Sequence, residues 1–209
     1  MAKLLYLESS PRKDRSASIQ VARELLTAYQ AAHPADTVET LDLWALDLPA
    51  FDGDTINAKY AVLHGLKHTE AQAQAWGRVV EVFRRFNAAE KYVFSVPMWN
   101  FGIPYRLKHF IDVITQPGLS FSYSPAEGYK GLMTGRPAAV IFARGGAYGS
   151  ASGGEAMDFQ KPYLETILRF IGFTDIRPIV IEPTMAEKGA VEKTIALAKE
   201  KARALGRTL

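Results

Sequence analysis

The 209-residue sequence contains no cysteine. This absence excludes disulfide bonds, thiolate metal sites and a cysteine nucleophile, and it makes a cytoplasmic location the default expectation. No apolar run reaches the roughly 18 residues that a membrane-spanning helix needs. The N-terminal residues lead directly into a predicted strand and lack the apolar region and cleavage site of a signal peptide. We therefore expect no membrane association.

The chain also lacks a concentrated region of one charge sign. Its 25 basic and 22 acidic side chains give a formal net charge of +3 and a sequence pI of about 9.0, and the two kinds are interspersed. A nucleic-acid-binding surface needs a more concentrated basic patch, so we expect no nucleic-acid partner. One local cluster, Arg12-Lys13-Asp14-Arg15, is better placed to bind a small anion.

Several motifs that carry chemistry are absent as well. The sequence contains neither G-x-x-x-x-G-K-[ST] nor G-x-G-x-x-G, which disfavours a Walker nucleotide site and a standard dinucleotide fold. It has no Gly-x-Ser-x-Gly elbow and no recognisable Ser/His/Asp arrangement. His64 and His68 are four residues apart on a possible helix, but the glutamate of His-Glu-x-x-His and a third ligand are missing. We expect no metal site.

What the chain does contain is an alternation of short apolar runs and amphipathic segments, within a composition that is 48% hydrophobic. The predicted strands cover residues 3–8, 37–43, 91–96, 138–143 and 175–181. The predicted helices cover residues 16–33, 70–87, 104–115, 161–171 and 186–205, with Gly206 as the C-terminal stop of the last one. This alternation predicts an α/β three-layer sandwich around a parallel sheet, as one domain over residues 1–209.

Residues 116–136 exceed what such a domain needs. Phe121 and Tyr123 alternate with serines, which is the period of a strand, and Gly128 and Gly131 suit a turn. The pattern predicts a hairpin flap, and long ordered loops in compact domains are usually functional.

The loop after the first predicted strand is rich in hydroxyl groups, from Ser10, Ser16 and Ser18, and it opens a helix. The amino end of a helix offers free N–H groups and a partial positive charge, both suited to a phosphate. Capping of the helix by Ser16 or Ser18 would explain the same serines. The local pattern therefore leaves a phosphate site and a simple cap open.

The loop after the third predicted strand is the most informative stretch of the chain. It consists of Pro97, Met98, Trp99, Asn100, Phe101 and Gly102. Two large rings, a thioether and an amide at the carboxyl end of a strand could pack against a flat ligand, and Gly102 permits close approach or a positive φ. A packed strand-to-helix corner is the alternative interpretation.

A third loop follows the fourth predicted strand, where Ala143-Arg144-Gly145-Gly146 precedes Tyr148. Paired glycines let the backbone lie near a ligand, although a simple glycine-rich turn is the alternative. If the strand order is 2-1-3-4-5, the three loops converge at one edge of the sheet, around the switch point where that fold binds FMN. Their convergence is stronger evidence than any single loop.

The motif Pro-Met-Trp-Asn-Phe-Gly-Ile-Pro over residues 97–104, followed by Leu107-Lys108 and Phe121-Ser-Tyr123, resembles that of the FMN-dependent NAD(P)H azoreductases and quinone oxidoreductases. The usual family form of this loop is Pro-Met-[Tyr/Trp]-Asn-Phe. The Ser-Ser start, the Ser-x-Ser helix opening and the Arg-Gly-Gly loop match in order and spacing. The resemblance covers essentially the whole chain, and it implies a flavodoxin-like homodimer with one FMN per subunit near the dimer interface.

The motif match also implies roles for individual residues. The ribityl phosphate is assigned to Ser10, Ser16, Ala17 and Ser18, the isoalloxazine to the loop of residues 97–102, and its pyrimidine side to Arg144, Gly145 and Gly146. Ala143 stands where some members have serine, so one hydroxyl that could bond the ring is lost. Tyr123 and Phe170 match aromatic positions of the substrate pocket, with Phe170 contributed across the dimer, and Tyr148 matches a variable position.

The activity implied by the resemblance is a two-electron reduction of quinones to hydroquinones and of azo compounds to amines. NAD(P)H passes hydride to the flavin and leaves before the acceptor binds, which is a ping-pong scheme. The cofactor carries the difficult chemistry, in agreement with the missing protein nucleophile. A flavodoxin-type electron carrier and a phosphoester hydrolase are the alternatives; carriers are typically acidic, and no metal ligands suggest a hydrolase. The sequence does not decide between NADH and NADPH.

Overall fold

The central sheet contains five parallel strands. The computed structural model describes residues 1–209, apart from the side chain of Ala151. The strands are β1 (Lys3–Glu8), β2 (Thr37–Asp42), β3 (Lys91–Pro97), β6 (Ala138–Ala143) and β7 (Ile176–Ile181). Their spatial order is β2-β1-β3-β6-β7. Counted along the chain, these five strands have the order 2-1-3-4-5, which confirms the predicted flavodoxin-like topology.

The described residues form six α-helices, five of which cover the two faces of the sheet. They are α1 (Ala17–Ala32), α2 (Gly53–His64), α3 (Glu70–Asn87), α4 (Tyr105–Ile114), α5 (Lys161–Phe170) and α6 (Lys188–Thr208). Helices α1 and α6 pack on one face, and α3, α4 and α5 pack on the other. Strand β6 is buried along its entire length, as expected of a strand in a parallel sheet that is covered on both sides.

The predicted hairpin flap is formed by β4 (Phe121–Ser124) and β5 (Gly128–Gly131). Gly128 has a φ of +69° at the turn, a conformation that glycine adopts without steric cost. Gly131 has another role, because a Cβ there would lie 2.3 Å from the backbone nitrogen of Gly172. The amide of Met133 donates to the carbonyl of Ile171 at 2.8 Å, so the base of the hairpin is joined to the turn after α5.

Gly206 does not end the last helix, as the sequence had led us to expect. Helix α6 continues to Thr208, and Gly206 faces α1, where a Cβ would lie 2.3 Å from the carbonyl oxygen of Leu25. The prediction of a C-terminal stop is therefore wrong. Glycine is required at this position because two helices approach each other closely.

The segment between β2 and β3 holds two helices, of which only α3 was predicted. Helix α2 begins after Asp52, whose carboxylate accepts a hydrogen bond from the amide of Thr55, and it ends at His64. His68 lies beyond that helix, with its Nε2 3.0 Å from the carbonyl oxygen of Ala58. The two histidines thus do not share a helix, and the described residues contain no group of three or more side chains suited to a metal ion.

None of the helices described here combines the length and the apolar character needed to cross a bilayer.

Candidate functional site

A cleft of about 290 Å³ opens at the carboxyl edge of the sheet. The loops after β1, β3, β6 and β7 surround it, so the structure brings together the three loops that the sequence singled out. The lining residues are Ser10, Arg12, Arg15, Ser16, Ala17, Gln20, Pro97, Met98, Trp99, Ala143, Gly145, Thr184, Met185, Val191 and Ile195. This is the position at which an open α/β sheet binds ligands.

The amino end of α1 forms one end of the cleft. Ser16 occupies the N-cap position and is only 4% exposed, yet its side chain accepts no hydrogen bond from the amides of the first turn. Its Oγ lies 3.1 Å from Oγ of the fully buried Ser18. The first-turn amides therefore have no side-chain cap, and an anion in the cleft could accept from them.

Two arginines add positive charge at this end. Of the cluster Arg12-Lys13-Asp14-Arg15, only Arg12 and Arg15 line the cleft. Lys13 turns away and donates to Glu8 and, at 2.6 Å, to Asp42. Partial burial lowers the pKa of Lys13, but the hydrogen bonds to Asp42 and Glu8 outweigh it and raise the pKa above its usual value. Lys13 therefore remains protonated and ties this loop to β1 and β2.

The loop after β3 is a tight two-residue turn. The amides of Trp99 and Gly102 each donate to the other residue's carbonyl, at 3.0 and 2.9 Å. The central residues, Asn100 and Phe101, have φ angles of +46° and +68°. The positive φ that the sequence suggested for Gly102 falls on these two residues instead. Left-handed non-glycine residues are uncommon and concentrate at functional sites.

Aromatic side chains support this turn from behind. The ring of Trp99 lies 5.7 Å from that of Trp44, and Tyr105 lies 5.3 Å from Trp44 and 6.3 Å from Trp99. The indole N–H of Trp44 donates to the carbonyl of Ser9 at 3.0 Å. Sequence reasoning missed Trp44 and Tyr105. The signal available for Trp44 was topological, since it follows β2, whose carboxyl end lies at the same edge.

In the loop after β6, the backbone faces the cleft. Ala143 and Gly145 line it, and the carbonyl of Ala143 accepts a hydrogen bond from the amide of Met98 at 2.7 Å. A Cβ on Gly145 would lie 2.9 Å from Sδ of Met185, so this glycine allows the neighbouring loop to approach. Gly146 instead lies against the ring of Tyr148.

Several predicted site residues lie outside the cleft lining. Arg144 is 3% exposed, and its guanidinium points into the protein. Asn100 and Gly102 line an adjacent depression together with Trp99 and Tyr105. Ser18, Phe101, Gly146 and Tyr148 are also absent from the described lining.

Tyr123 and Phe170 belong to a separate aromatic cluster at the hairpin. Tyr123 lies 4.9 Å from Tyr129 between ring centroids, and Tyr129 lies 5.6 Å from Phe170. Neither is among the described residues that line the cleft of this single chain. Their contribution to a substrate pocket stays a prediction.

The loop after β7 is the part of the cleft that sequence reasoning missed. The amide of Thr184 donates to the carbonyl of Arg144 at 2.8 Å, and that of Met185 donates to Gly145 at 3.0 Å. Val191 and Ile195, from α6, complete this wall. The topology contained a signal, because β7 is parallel to its neighbours and must end at the same edge.

Comparison with known proteins identifies the family to which this chain belongs. A family model described as a flavodoxin-like fold matches residues 2–205. The chain belongs to this flavodoxin-like family. Among curated flavodoxin-like relatives, an FMN-dependent NADH:quinone oxidoreductase from Desulfotalea psychrophila is 49% identical over 209 residues, covering 100% of this chain and 98% of the relative. A protein of the same description from Nitratidesulfovibrio vulgaris is 52% identical over 186 residues, covering 89% of this chain and 88% of the relative.

Solved structures of flavodoxin-like proteins are similar along the whole chain. An azoreductase from Bacillus anthracis superposes with a TM-score of 0.91 at 31% identity, covering 100% of both chains. An FMN-dependent NADH-azoreductase from the same species, solved in complex with FMN, has a TM-score of 0.84 at 26% identity and covers 99% of this chain and 100% of its own.

Proposed function

We propose that this flavodoxin-like protein is an FMN-dependent oxidoreductase that transfers electrons from NADH or NADPH to quinones and azo compounds. The observation that carries the proposal is the uncapped amino end of α1 in a cleft that also has an aromatic wall. Relatives named FMN-dependent NADH:quinone oxidoreductases and FMN-dependent NADH-azoreductases support it. The proposal treats residues 1–209 as one FMN-binding domain.

The phosphate end of the cleft fits the ribityl phosphate of FMN. The hydroxyls of Ser10 and Ser16 and the amides that begin at Ala17 would donate hydrogen bonds to its oxygens. The hydroxyl of Ser18, which lies outside the cleft lining, would support Ser16 across their 3.1 Å contact. The side chains of Arg12 and Arg15 would balance its charge.

The opposite end fits a planar ring. Residues 97–99 form one wall, and Ala143 and Gly145 bring the backbone close on another side. Gly146 and Arg144 lie outside the single-chain cleft lining, so the cofactor contact that the motif assigns to Gly146 stays a prediction. Bound FMN would supply two-electron hydride chemistry, which protein side chains lack. The residues of the cleft would orient the ring and direct N–H groups towards its polar edge.

A homodimer is part of the proposal. Helix α2 and the loop after it expose several large apolar side chains, namely Ile56, Tyr60, Val62, Leu63 and Leu66. Contiguous exposed apolar surface marks interaction sites, and a second subunit would explain why Tyr123 and Phe170 lie apart from the cleft of one chain. Light scattering during gel filtration should give twice the mass of the chain. A cytoplasmic location stays a prediction from the sequence.

The decisive experiment is a visible spectrum of the purified protein before and after anaerobic addition of NADH, and separately of NADPH. A flavin spectrum that bleaches identifies both cofactor and donor. Turnover with menadione and with an azo dye should then give parallel lines in double-reciprocal plots, as expected of ping-pong kinetics.

Two outcomes would contradict the proposal. One is a colourless protein that takes up no FMN at micromolar concentrations. The other is reduction of the bound flavin without turnover of either small acceptor, which would indicate an electron carrier instead.

A further inference from the structure

Arg144 belongs to the loop that the motif assigns to the cofactor, yet its guanidinium is directed away from the cleft. It donates from Nη2 to Asp158 at 2.6 Å, from Nη1 to Glu182 at 3.1 Å and from Nε to Gln160 at 3.0 Å. With 3% exposure, the side chain is nearly removed from solvent. A buried guanidinium with three separate acceptors is held in one orientation.

Each acceptor reaches a different part of the site. Gln160 donates from Nε2 to the carbonyl of Val96, the residue before Pro97, at 3.0 Å. Glu182 accepts the amide of Tyr148 at 3.0 Å through the same oxygen that binds Arg144. The guanidinium is thus connected to the end of β3 and to the loops after β6 and β7.

Asp158 connects the same guanidinium to a helix. Its second carboxylate oxygen accepts the amides of Gln160 and Lys161, at 3.0 and 3.1 Å, at the start of α5. The Arg144 side chain also lies 5.9 Å from the ring of Tyr148, which in turn packs edge-on against Phe101 at 6.2 Å.

The backbone of Arg144 makes further connections to the last wall. Its amide donates to the carbonyl of Ile181 at 3.0 Å. Its carbonyl accepts from both the amide and the hydroxyl of Thr184, each at 2.8 Å. Both backbone groups and all three guanidinium nitrogens thus have partners inside the protein, and the side chain is 3% exposed and does not line the cleft.

We propose that Arg144 is a positioning residue, which holds the walls around the isoalloxazine end of the cleft without touching the cofactor. This inference rests on the proposed function, because it assumes that FMN binds here. The interaction is costly to break, since removal of the cation leaves Asp158 and Glu182 as two nearby carboxylates without their shared partner. The walls that Arg144 joins face the ring, whereas the phosphate is held by α1 at the other end.

Because Arg144 joins the walls at the ring end and not at the phosphate end, its role can be tested with two ligands that share the ring and differ in the phosphate. Dissociation constants of FMN and riboflavin would be measured by fluorescence quenching on the full-length protein after removal of its flavin. We expect Arg144→Met to weaken both ligands by the same factor, about tenfold or more, because a shifted wall misplaces the ring contacts. Ser16→Ala should weaken FMN alone.

Further variants separate positioning from direct contact. Arg144→Lys keeps the charge but cannot reach three acceptors, so its loss of flavin affinity should be intermediate. Glu182→Gln should weaken the binding of both flavins. In the double variant Arg144→Met/Glu182→Gln, the fold-loss of affinity should be smaller than the product of the fold-losses of the two single variants. The matched control is Arg136→Met, because Arg136 bonds the carbonyls of Asn87 and Ala89 away from this edge and should leave flavin affinity unchanged.

The outcomes are distinguishable. If the wild-type protein binds neither flavin, the proposed function fails, and this inference fails with it. A second outcome is that the wild-type protein binds FMN, and that Arg144→Met and Arg144→Lys bind both flavins as tightly as the wild-type protein does. That outcome overturns only the inference. A third outcome is that the affinity loss of the double variant equals the product of the losses of Arg144→Met and Glu182→Gln. This would indicate a direct contact of Arg144 with the flavin and would also overturn the inference. Should Arg144→Met fail to fold, Arg144→Lys and Glu182→Gln decide the question. The proposal then requires that each of them weaken FMN and riboflavin by the same factor.

Discussion

The side-chain oxygens of Ser16 and Ser18 lie 3.1 Å from each other at the start of α1, and Ser16 caps no amide of the helix. Helix α3 shows the usual arrangement, in which the hydroxyl of Thr69 accepts from the amide of Gln72 and the Gln72 side chain accepts from the amide of Thr69. Helices α1, α4, α5 and α6 all lack a side-chain cap. Among them, α1 is the one whose N-cap residue is a serine, a residue able to cap, and it begins in the cleft.

This contrast predicts opposite effects of two similar substitutions. Ser16→Ala should weaken FMN binding about tenfold, as expected for a lost hydrogen bond to a charged group, and alter the free energy of unfolding of the flavin-free protein by under about 0.5 kcal/mol. Thr69→Ala should destabilise the protein by about 1 kcal/mol and leave FMN affinity unchanged. Flavin titration and urea unfolding measure the two effects, and a stability loss for Ser16→Ala as large as that for Thr69→Ala would mean that Ser16 is a cap after all.

Trp99 is the residue of the aromatic wall that we expect to distinguish this protein from relatives with tyrosine at this position. Trp99→Tyr reduces the ring that faces the cleft and loosens its packing on Trp44, so the visible spectrum of bound FMN and the relative rates with quinones and azo dyes should both change. Trp76→Tyr, on α3, is the control and should leave both unchanged. Identical spectra and acceptor ranges for Trp99→Tyr and the wild-type protein would refute this role.

Two helical glycines give a paired prediction on stability. Gly206→Ala places a methyl group where only 2.3 Å separates the Cβ position from the Leu25 carbonyl, so α1 and α6 must separate, at a cost of about 1–3 kcal/mol. Gly77→Ala, in α3, meets nothing within 4 Å and should stabilise the protein by about 0.5–1 kcal/mol, because alanine favours the helix. Thermal and urea unfolding would reveal the signs; a neutral Gly206→Ala would contradict the close helix contact.

The pH dependence of stability has a contribution from Glu39. Its carboxylate lies 2.6 Å from the Lys3 ammonium and 2.6 Å from Nε of Arg85. The hydrogen bond from Lys3 lowers the pKa of Glu39; burial opposes the shift, and Arg85 adds to it. The unfolded chain therefore binds the proton at higher pH, so this stabilisation is present above the ordinary glutamate pKa of about 4.3 and is lost as pH falls through the lower folded value.

Urea unfolding at a series of pH values tests this contribution. The free energy of unfolding should decrease towards acid pH in the wild-type protein, and the decrease should be smaller in Glu39→Gln. Equal slopes for the two proteins would show that the contacts of Glu39 with Lys3 and Arg85 contribute no linked stability.

The bounds of β6 could be predicted because they follow from the hydrophobic pattern, whereas the strand order entered as a condition that the resemblance to flavodoxin-like proteins supported. Residues 138–143 are apolar throughout, and only a strand covered on both faces hides such a run. Once the strands are parallel, the loops after them must share an edge, so the convergence of the loops that begin at Ser9, Met98 and Arg144 also followed from the sequence. The same logic would have found the loop at Thr184, had it been applied to the last strand.

Other features depend on contacts that no local pattern contains. A glycine near the end of a helix looks the same in sequence whether it stops the helix or meets another backbone, which is why Gly206 was misread. The left-handed backbone at Asn100 and Phe101 arises from the paired hydrogen bonds between Trp99 and Gly102, not from glycine. The inward direction of Arg144 depends on acceptors that lie 14 to 38 residues away.

The contact between Gly131 and Gly172 has a mechanical consequence. With the base of the β4–β5 hairpin fixed against the turn after α5, the hairpin cannot swing as a rigid lid over a neighbouring pocket. The exposed side chains of Tyr123 and Tyr129 can still rotate about their own bonds. Because such rotations are fast and small, a hairpin that lined a substrate pocket, as the sequence predicts, would shape a bound compound without delaying its entry or release.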